Sequence, residues 1–182
     1  MQSFPSRSTV LYYFKETRLP YRAVLDDLFG RLLDALRGSM VASGSLVGRI
    51  EDAVGVFVDY MWMHPIAARL AVRESVNSDP GIREEMRARA LPFLGLLVLV
   101  FEEGRRSGVF RALRFDPNHV VSIIAGSTLF CVDALPAIAG ESPADLLSED
   151  HLEAYKREVL DITRRLLGIR DPRSSVDSVP VA

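Results

Sequence analysis

At 182 residues and 48% hydrophobic content, the chain is long enough to bury one substantial core, and its 25% charged residues match an ordinary soluble surface. A single cysteine, Cys131, excludes an internal disulfide and fits a reducing cytoplasm. The net charge of −2 divides unevenly: Arg7, Lys15, Arg18 and Arg22 against Glu16 make the first 22 residues basic, and the rest is acidic, as suits a protein that meets a polyanion at one end only.

Ser6 to Phe14 has the length of a two-turn helix, too short to hold its shape alone. From Leu19 to Leu36, Val24, Leu25, Leu28, Phe29, Leu32, Leu33 and Leu36 recur at the three-and-four spacing of one buried face, and Pro20 fits within the first turn. Gly38, Ser39, Ser43, Gly44 and Ser45 predict a turn. A second helix is expected from Leu46 to Met63, with Ile50, Val54, Phe57, Val58 and Met61 inward, closed by His64-Pro65 because the residue before proline avoids the α region. Pro65 opens a third, to Asn77.

Asp79-Pro80 pairs a capping side chain with a proline at the first helical position, and the helix it opens runs to Arg106 and stops at Gly108, bent or split at Pro92. Asp116-Pro117 repeats the start signal before an apolar helix ending ahead of Pro136, apolar all round and so buried on every side, in part by a second subunit. The last helix has Ser148 as cap, Glu149 and Asp150 in its first turn, Arg164 and Arg165 in its last, and Gly168 as its end. Leu152, Tyr155, Val159, Ile162 and Leu166 step by three and four in a heptad seam, and Glu153–Arg157 and Asp161–Arg165 form acid-first pairs on the exposed side. Asp171 to Ala182 has no period and is expected to be a disordered tail. The expected class is all-α, and the longest apolar run, Ala90 to Phe101, is too short to cross a bilayer, so no membrane partner is expected.

The stretch Ser6 to Leu25 resembles the end of the DNA-binding unit of TetR/AcrR-type transcriptional regulators, where a short recognition helix closes on an aromatic pair and a turn leads into the regulatory domain. Ser8 and Thr9 match its small and Thr positions, Tyr12-Tyr13-Phe14 its aromatic end, and Tyr21 to Leu25 its continuation; Thr17, Arg18 and Pro20 depart from it. The resemblance implies a TetR-like regulatory helical bundle over residues 19–170, a remnant of a helix-turn-helix unit over 1–18 and a tail over 171–182. It also implies a cytoplasmic repressor that binds DNA as a homodimer and is released by a small ligand, with no enzymatic activity and no cofactor or metal. Arg7, Ser8, Thr9, Tyr12, Tyr13 and Lys15 would meet DNA, Arg7 and Thr9 at base edges or phosphates and Tyr13 and Lys15 at phosphates, while Tyr12 and Phe14 can equally pack on the following helix. Two supporting helices of such a unit need about thirty residues ahead of Ser6, and five are present, so the unit is expected to be incomplete here and a DNA-incompetent dimerising, ligand-binding remnant is the alternative.

For the effector, Phe57, Tyr60, Met61, Trp62, Phe93, Leu97 and Phe101 offer an aromatic and flexible apolar pocket beside the break expected at Pro92 and Gly95, with Arg69, Arg73 and Glu74 as polar selectors. The same spacing equally describes a packed core with a wet arginine face. The homodimer is expected through residues 117–135 and 149–167, with Ile123, Gly126, Phe130, Leu152, Tyr155, Val159, Ile162 and Leu166 at the interface. A phosphate loop and a nucleophile elbow are missing from the sequence, Cys131 lacks a base nearby in sequence, and His64, His119 and His151 have no ligand spacing, so a small helical enzyme is the weaker reading.

Overall fold

The computed structural model describes residues 7–42, 44–77, 79–112, 116–140 and 148–169, with side chains from residue 21 onward, Asn77 excepted. Helices α1 (Arg7–Val41), α2 (Leu46–Met63), α3 (Pro65–Asn77), α4 (Pro80–Arg106), α5 (Pro117–Leu129), a π-helical turn (Phe130–Ala134), α6 (Leu135–Ala139) and α7 (Glu149–Leu167) follow one another, with no strand among the described residues. The expected tail from Asp171 and the loop residues 113–115 lie outside them.

The start signals work through the side chains that the sequence supplies. Ser45 accepts from the Gly48 amide at 3.0 Å, Asp79 from Gly81 at 2.9 Å and Asp116 from Asn118 at 2.8 Å, each satisfying an amide that the first helical turn leaves open. Ser148 stands at the N-cap with extended backbone, yet its hydroxyl bonds Nδ1 of His151 at 3.0 Å and caps no amide. Gly168 ends α7 at φ 65°, the left-handed conformation that glycine adopts without steric penalty.

Three prolines expected to start, split or end helices lie inside them. Pro20 sits mid-way along a continuous α1, so the turn expected between Phe14 and Leu19 is absent. Pro92 lies inside an unbroken α4, on its exposed side. Pro136 follows the π turn, in which the Leu135 amide bonds the Phe130 carbonyl five residues back. A widened turn keeps a proline ring clear of the carbonyl four residues earlier, and α5 and α6 therefore join into one 23-residue helix, Pro117–Ala139. This helix has a mean hydropathy of 1.8 over its most apolar stretch and only 17% of that stretch is buried, so it is long and apolar enough to cross a membrane, and it is not buried on every side as expected.

The core forms where α2 meets α1, α4, α5 and α7. Leu32, Leu36 and Met40 of α1 pack on Ile50, Val54, Val58 and Met61 of α2, and Val100 and Phe101 of α4 close the layer; Val24, expected on the buried face, is exposed. Ion pairs stitch the outer edges: Arg89–Asp26 at 3.0 Å and Arg22–Glu85 at 3.5 Å join α4 to α1, and Arg164–Glu51 at 2.6 Å and Lys156–Asp59 at 2.7 Å join α7 to α2. On the outside of α7, Glu153 pairs with Lys156 and Asp161 with Arg164, three residues apart instead of the expected four, and Arg157 donates to the Glu153 carbonyl.

Two tyrosines tie α1 to its neighbours. Tyr60 donates to the Leu28 carbonyl at 2.6 Å, and Tyr21 donates to the buried carboxylate of Glu74, with Arg73 over its ring. Burial pushes both phenols above their ordinary value, helped at Tyr21 by the bond to Glu74. Burial opposes the Lys156 ammonium, but hydrogen bonds to Asp59 and Glu153 outweigh it and raise that group too. All three hold their protons more tightly when folded, so their contribution to stability is complete below the unfolded values near 10 and is lost as pH rises through the folded ones. Urea unfolding midpoints are therefore expected to decline above about pH 10. Tyr60→Phe should shed part of that dependence, at a cost of about 1 kcal/mol near neutrality.

Candidate functional site

Inside the bundle lies a cavity of about 280 Å³, walled by α1, α2, α4 and α5 with Ala71 of α3. Phe29, Leu32, Leu33 and Leu36 of α1 form one wall, and Phe57 and Met61 of α2 stand opposite Phe93 and Leu97 of α4. Val121, Ile124, Ala125 and Leu129 of α5 complete the lining, and Phe101 closes it deep in the core, itself 2% exposed. Leu94 both lines the cavity and is exposed, marking where it reaches the surface. Every lining residue is apolar, and essentially no polar atom reaches the wall.

Five of the residues expected to bind an effector thus converge, Phe57, Met61, Phe93, Leu97 and Phe101, whereas Trp62 stacks on Tyr155 and Glu74 bonds Tyr21 and Arg73. Tyr60 does not join them, because its hydroxyl is spent on Leu28 and its ring packs against His64 with centroids 4.5 Å apart. Arg69 and Arg73 are not in the lining. Arg69 is exposed and pairs with Asp133 of the π turn at 3.0 Å, while Arg73 bonds Glu74 at 3.3 Å and covers the Tyr21 ring at 4.8 Å. The α3 face that turns inward carries Ala67, Ala68 and Ala71, so the arginines on the same helix fall outside. Most of the cavity residues that the sequence did not single out come from α1 and α5, with Ile50, Ala53 and Val54 of α2, Ala71 of α3 and Ala90 and Leu94 of α4 beside them. They were legible as buried faces, without a sign that space would remain between them.

A second feature is an uncovered apolar stripe. Ile123 is 45% exposed, Phe130 51% and Ile138 69%, and a Cβ at Gly126 would meet nothing within 4 Å. Ile162 of α7 is 47% exposed, and Leu166 is half-buried. The rest of the expected heptad seam turns the other way. Leu152 and Val159 are buried in the subunit's own core, and Tyr155 is half-buried, stacked on Trp62 at 5.6 Å with its hydroxyl 3.3 Å from Thr128. The periodicity identified one buried face of α7; the face that it identified is covered by α2 and α5 of the same chain.

The expected DNA-reading residues Arg7, Ser8, Thr9, Tyr12, Tyr13 and Lys15 fall on the first turns of α1, and their side chains lie outside the described residues. Cys131 is half-buried, and burial raises its thiol, the opposite of nucleophilic activation.

A family model described as tetracyclin repressor-like, C-terminal domain, matches residues 47–163, from the first turn of α2 to the last turn of α7. The chain belongs to the TetR family. Comparison with curated proteins and with solved structures finds no match. The match accounts for the all-α architecture, and the family that it names is one of regulators. It covers three of the cavity's four main walls, leaving out α1.

Proposed function

We propose that the chain is a ligand-responsive transcriptional regulator, most simply a repressor, which acts in the cytoplasm as a homodimer and leaves DNA when a small hydrophobic ligand enters the cavity. The observation that carries this reading is the dual use of α1. One unbroken helix supplies Phe29, Leu32, Leu33 and Leu36 to the cavity wall and, about 30 Å along its axis, the residues Arg7 to Lys15 that resemble a recognition element. A ligand that shifts this wall acts on the far end of the same rod. By linkage, the DNA-bound form must then hold the ligand less tightly, by the same factor by which the ligand weakens DNA binding.

The uncovered stripe on Pro117–Ala139, continued by Ile162 and Leu166, supports a second copy as its cover. Gly126, Ser122 and Ser127 interrupt the stripe with small surface that allows close helix approach, and Asp133 with its partner Arg69 places charge beside it, which suits a protein neighbour better than lipid tails. Fluorescence anisotropy with DNA from upstream of the gene tests the regulator. Specific, salt-sensitive binding is expected, from this chain or from one extended upstream by two helices, and it should fall on addition of a cavity ligand. Failure of both chains to bind would leave a dimerising, ligand-binding module and refute the repressor.

A further inference from the structure

Building on the ligand-sensing reading, we infer that the effector buries in the cavity a hydrocarbon body of about ten carbons that itself carries neither charge nor hydrogen-bonding group. The lining is apolar at every position, from Phe29 and Leu33 on one side to Ile124 and Ala125 on the other. Polar side chains of the surrounding helices are committed elsewhere: Arg69 to Asp133, Arg73 to Glu74 and Tyr21, Arg89 to Asp26, and the Tyr60 hydroxyl to the Leu28 carbonyl. A charged or chelating group entering this space would lose its hydration and gain no partner, which excludes ions as buried ligands. Water is excluded for a related reason, since a buried water needs two or more polar partners and the wall offers none. An apolar guest therefore displaces only water that the wall cannot hold.

Size narrows the class. An apolar cavity of about 150 Å³ takes up benzene. A volume of about 280 Å³ is close to twice that, which suits a fused two-ring body or a folded chain of about ten carbons. A polar end, where the molecule has one, lies outside at Leu94, where the cavity meets solvent.

The test uses the full chain and four probes: naphthalene and decan-1-ol as neutral ring and chain, and 1-naphthoate and 1-naphthylmethylammonium as charged counterparts of the ring. Isothermal titration calorimetry and thermal unfolding should show saturable binding of at least one neutral probe. The charged naphthalenes should bind at least about 100-fold more weakly. The stronger neutral probe decides between ring and chain. Filling the space from either of two walls, Ala125→Phe on α5 or Ala71→Phe on α3, should abolish that binding in whichever variant keeps the wild-type helical circular dichroism. Equal binding of a charged probe, unchanged binding to a folded filled variant, or no binding of either neutral probe at its solubility limit would each overturn the inference. Its failure is separable from failure of the regulator. Neutral probes that bind without weakening DNA binding refute the repressor and leave the ligand class standing, whereas an effector that buries a charge in the cavity and releases DNA does the reverse.

Discussion

Ile123→Glu combined with Phe130→Glu is expected to give a folded monomer. Both side chains stand about half exposed on the outer stripe of Pro117–Ala139 and touch little of their own subunit's core, so the folded chain tolerates the charges. In the proposed dimer the same positions are desolvated against the partner. Four carboxylates then meet across the symmetry axis without counter-ions, and the dissociation constant should rise by at least about 100-fold. Sedimentation velocity at micromolar concentration reads the change, with circular dichroism showing the helices intact. Val159→Glu is the contrasting variant. Val159 is 4% exposed beneath α2, and a carboxylate there lacks both water and a partner, a loss of several kcal/mol out of a total that is typically about 5–15. It should unfold the chain, whatever its oligomeric state. A double variant that sediments as the parent does would refute the proposed face.

The second large effect is at Gly104. A Cβ built there would lie 2.0 Å from the Phe110 ring, whose residue is 3% exposed, stacks edge-on against Phe101 at 6.0 Å and is pinned by its amide to the Gly104 carbonyl at 2.9 Å. The ring has nowhere to go, because the next residues, Arg111 and Ala112, bond the Leu167 carbonyl at the end of α7. Gly104→Ala should therefore cost about 2–3 kcal/mol in urea unfolding even though alanine is the better helix former. Gly55, in the middle of α2 with open space where its Cβ would stand, is the control. There the same substitution should stabilise by about 0.5–1 kcal/mol. Equal effects at the two sites would refute the packing argument.

The helix boundaries that could be read ahead of the structure are those set by a local chemical event. Ser45, Asp79 and Asp116 cap, His64 precedes a proline, and Gly108 and Gly168 take the left-handed conformation; together they set both ends of α2 and α4, the starts of α3 and α5 and the end of α7. Pro20, Pro92 and Pro136 misled for the converse reason. A proline removes one hydrogen bond, and packing along the remaining length of α1, α4 and Pro117–Ala139 outweighs that loss. The apolar half of the cavity followed from periodicity, since residues at core spacing on α2 and α4 do point inward. Its polar half did not, because α3 is short and the faces bearing Ala71 and Arg69 differ by a rotation that only the neighbouring helices decide. The α7 seam shows the same limit: spacing identifies a buried face, but not whether the helix covering it belongs to the same chain.

The π turn bears on the arrangement of the whole outer helix. Val120, Ile124, Thr128, Val132 and Pro136 repeat strictly every fourth residue, and all are buried or half-buried. In a regular α-helix such a row winds around the cylinder by about 40° per step, so that its two ends would face different sides. The five residues of the wide turn take up part of that winding, and the turn that carries Val132 packs on α3, beside the Arg69–Asp133 pair. Deleting one residue between Phe130 and Ala134 would restore regular geometry and leave everything beyond it, Ile138 included, facing nearly the same way, because the wide turn absorbs one extra residue. One local expansion of the helix thus keeps the inner row and the outward stripe in angle.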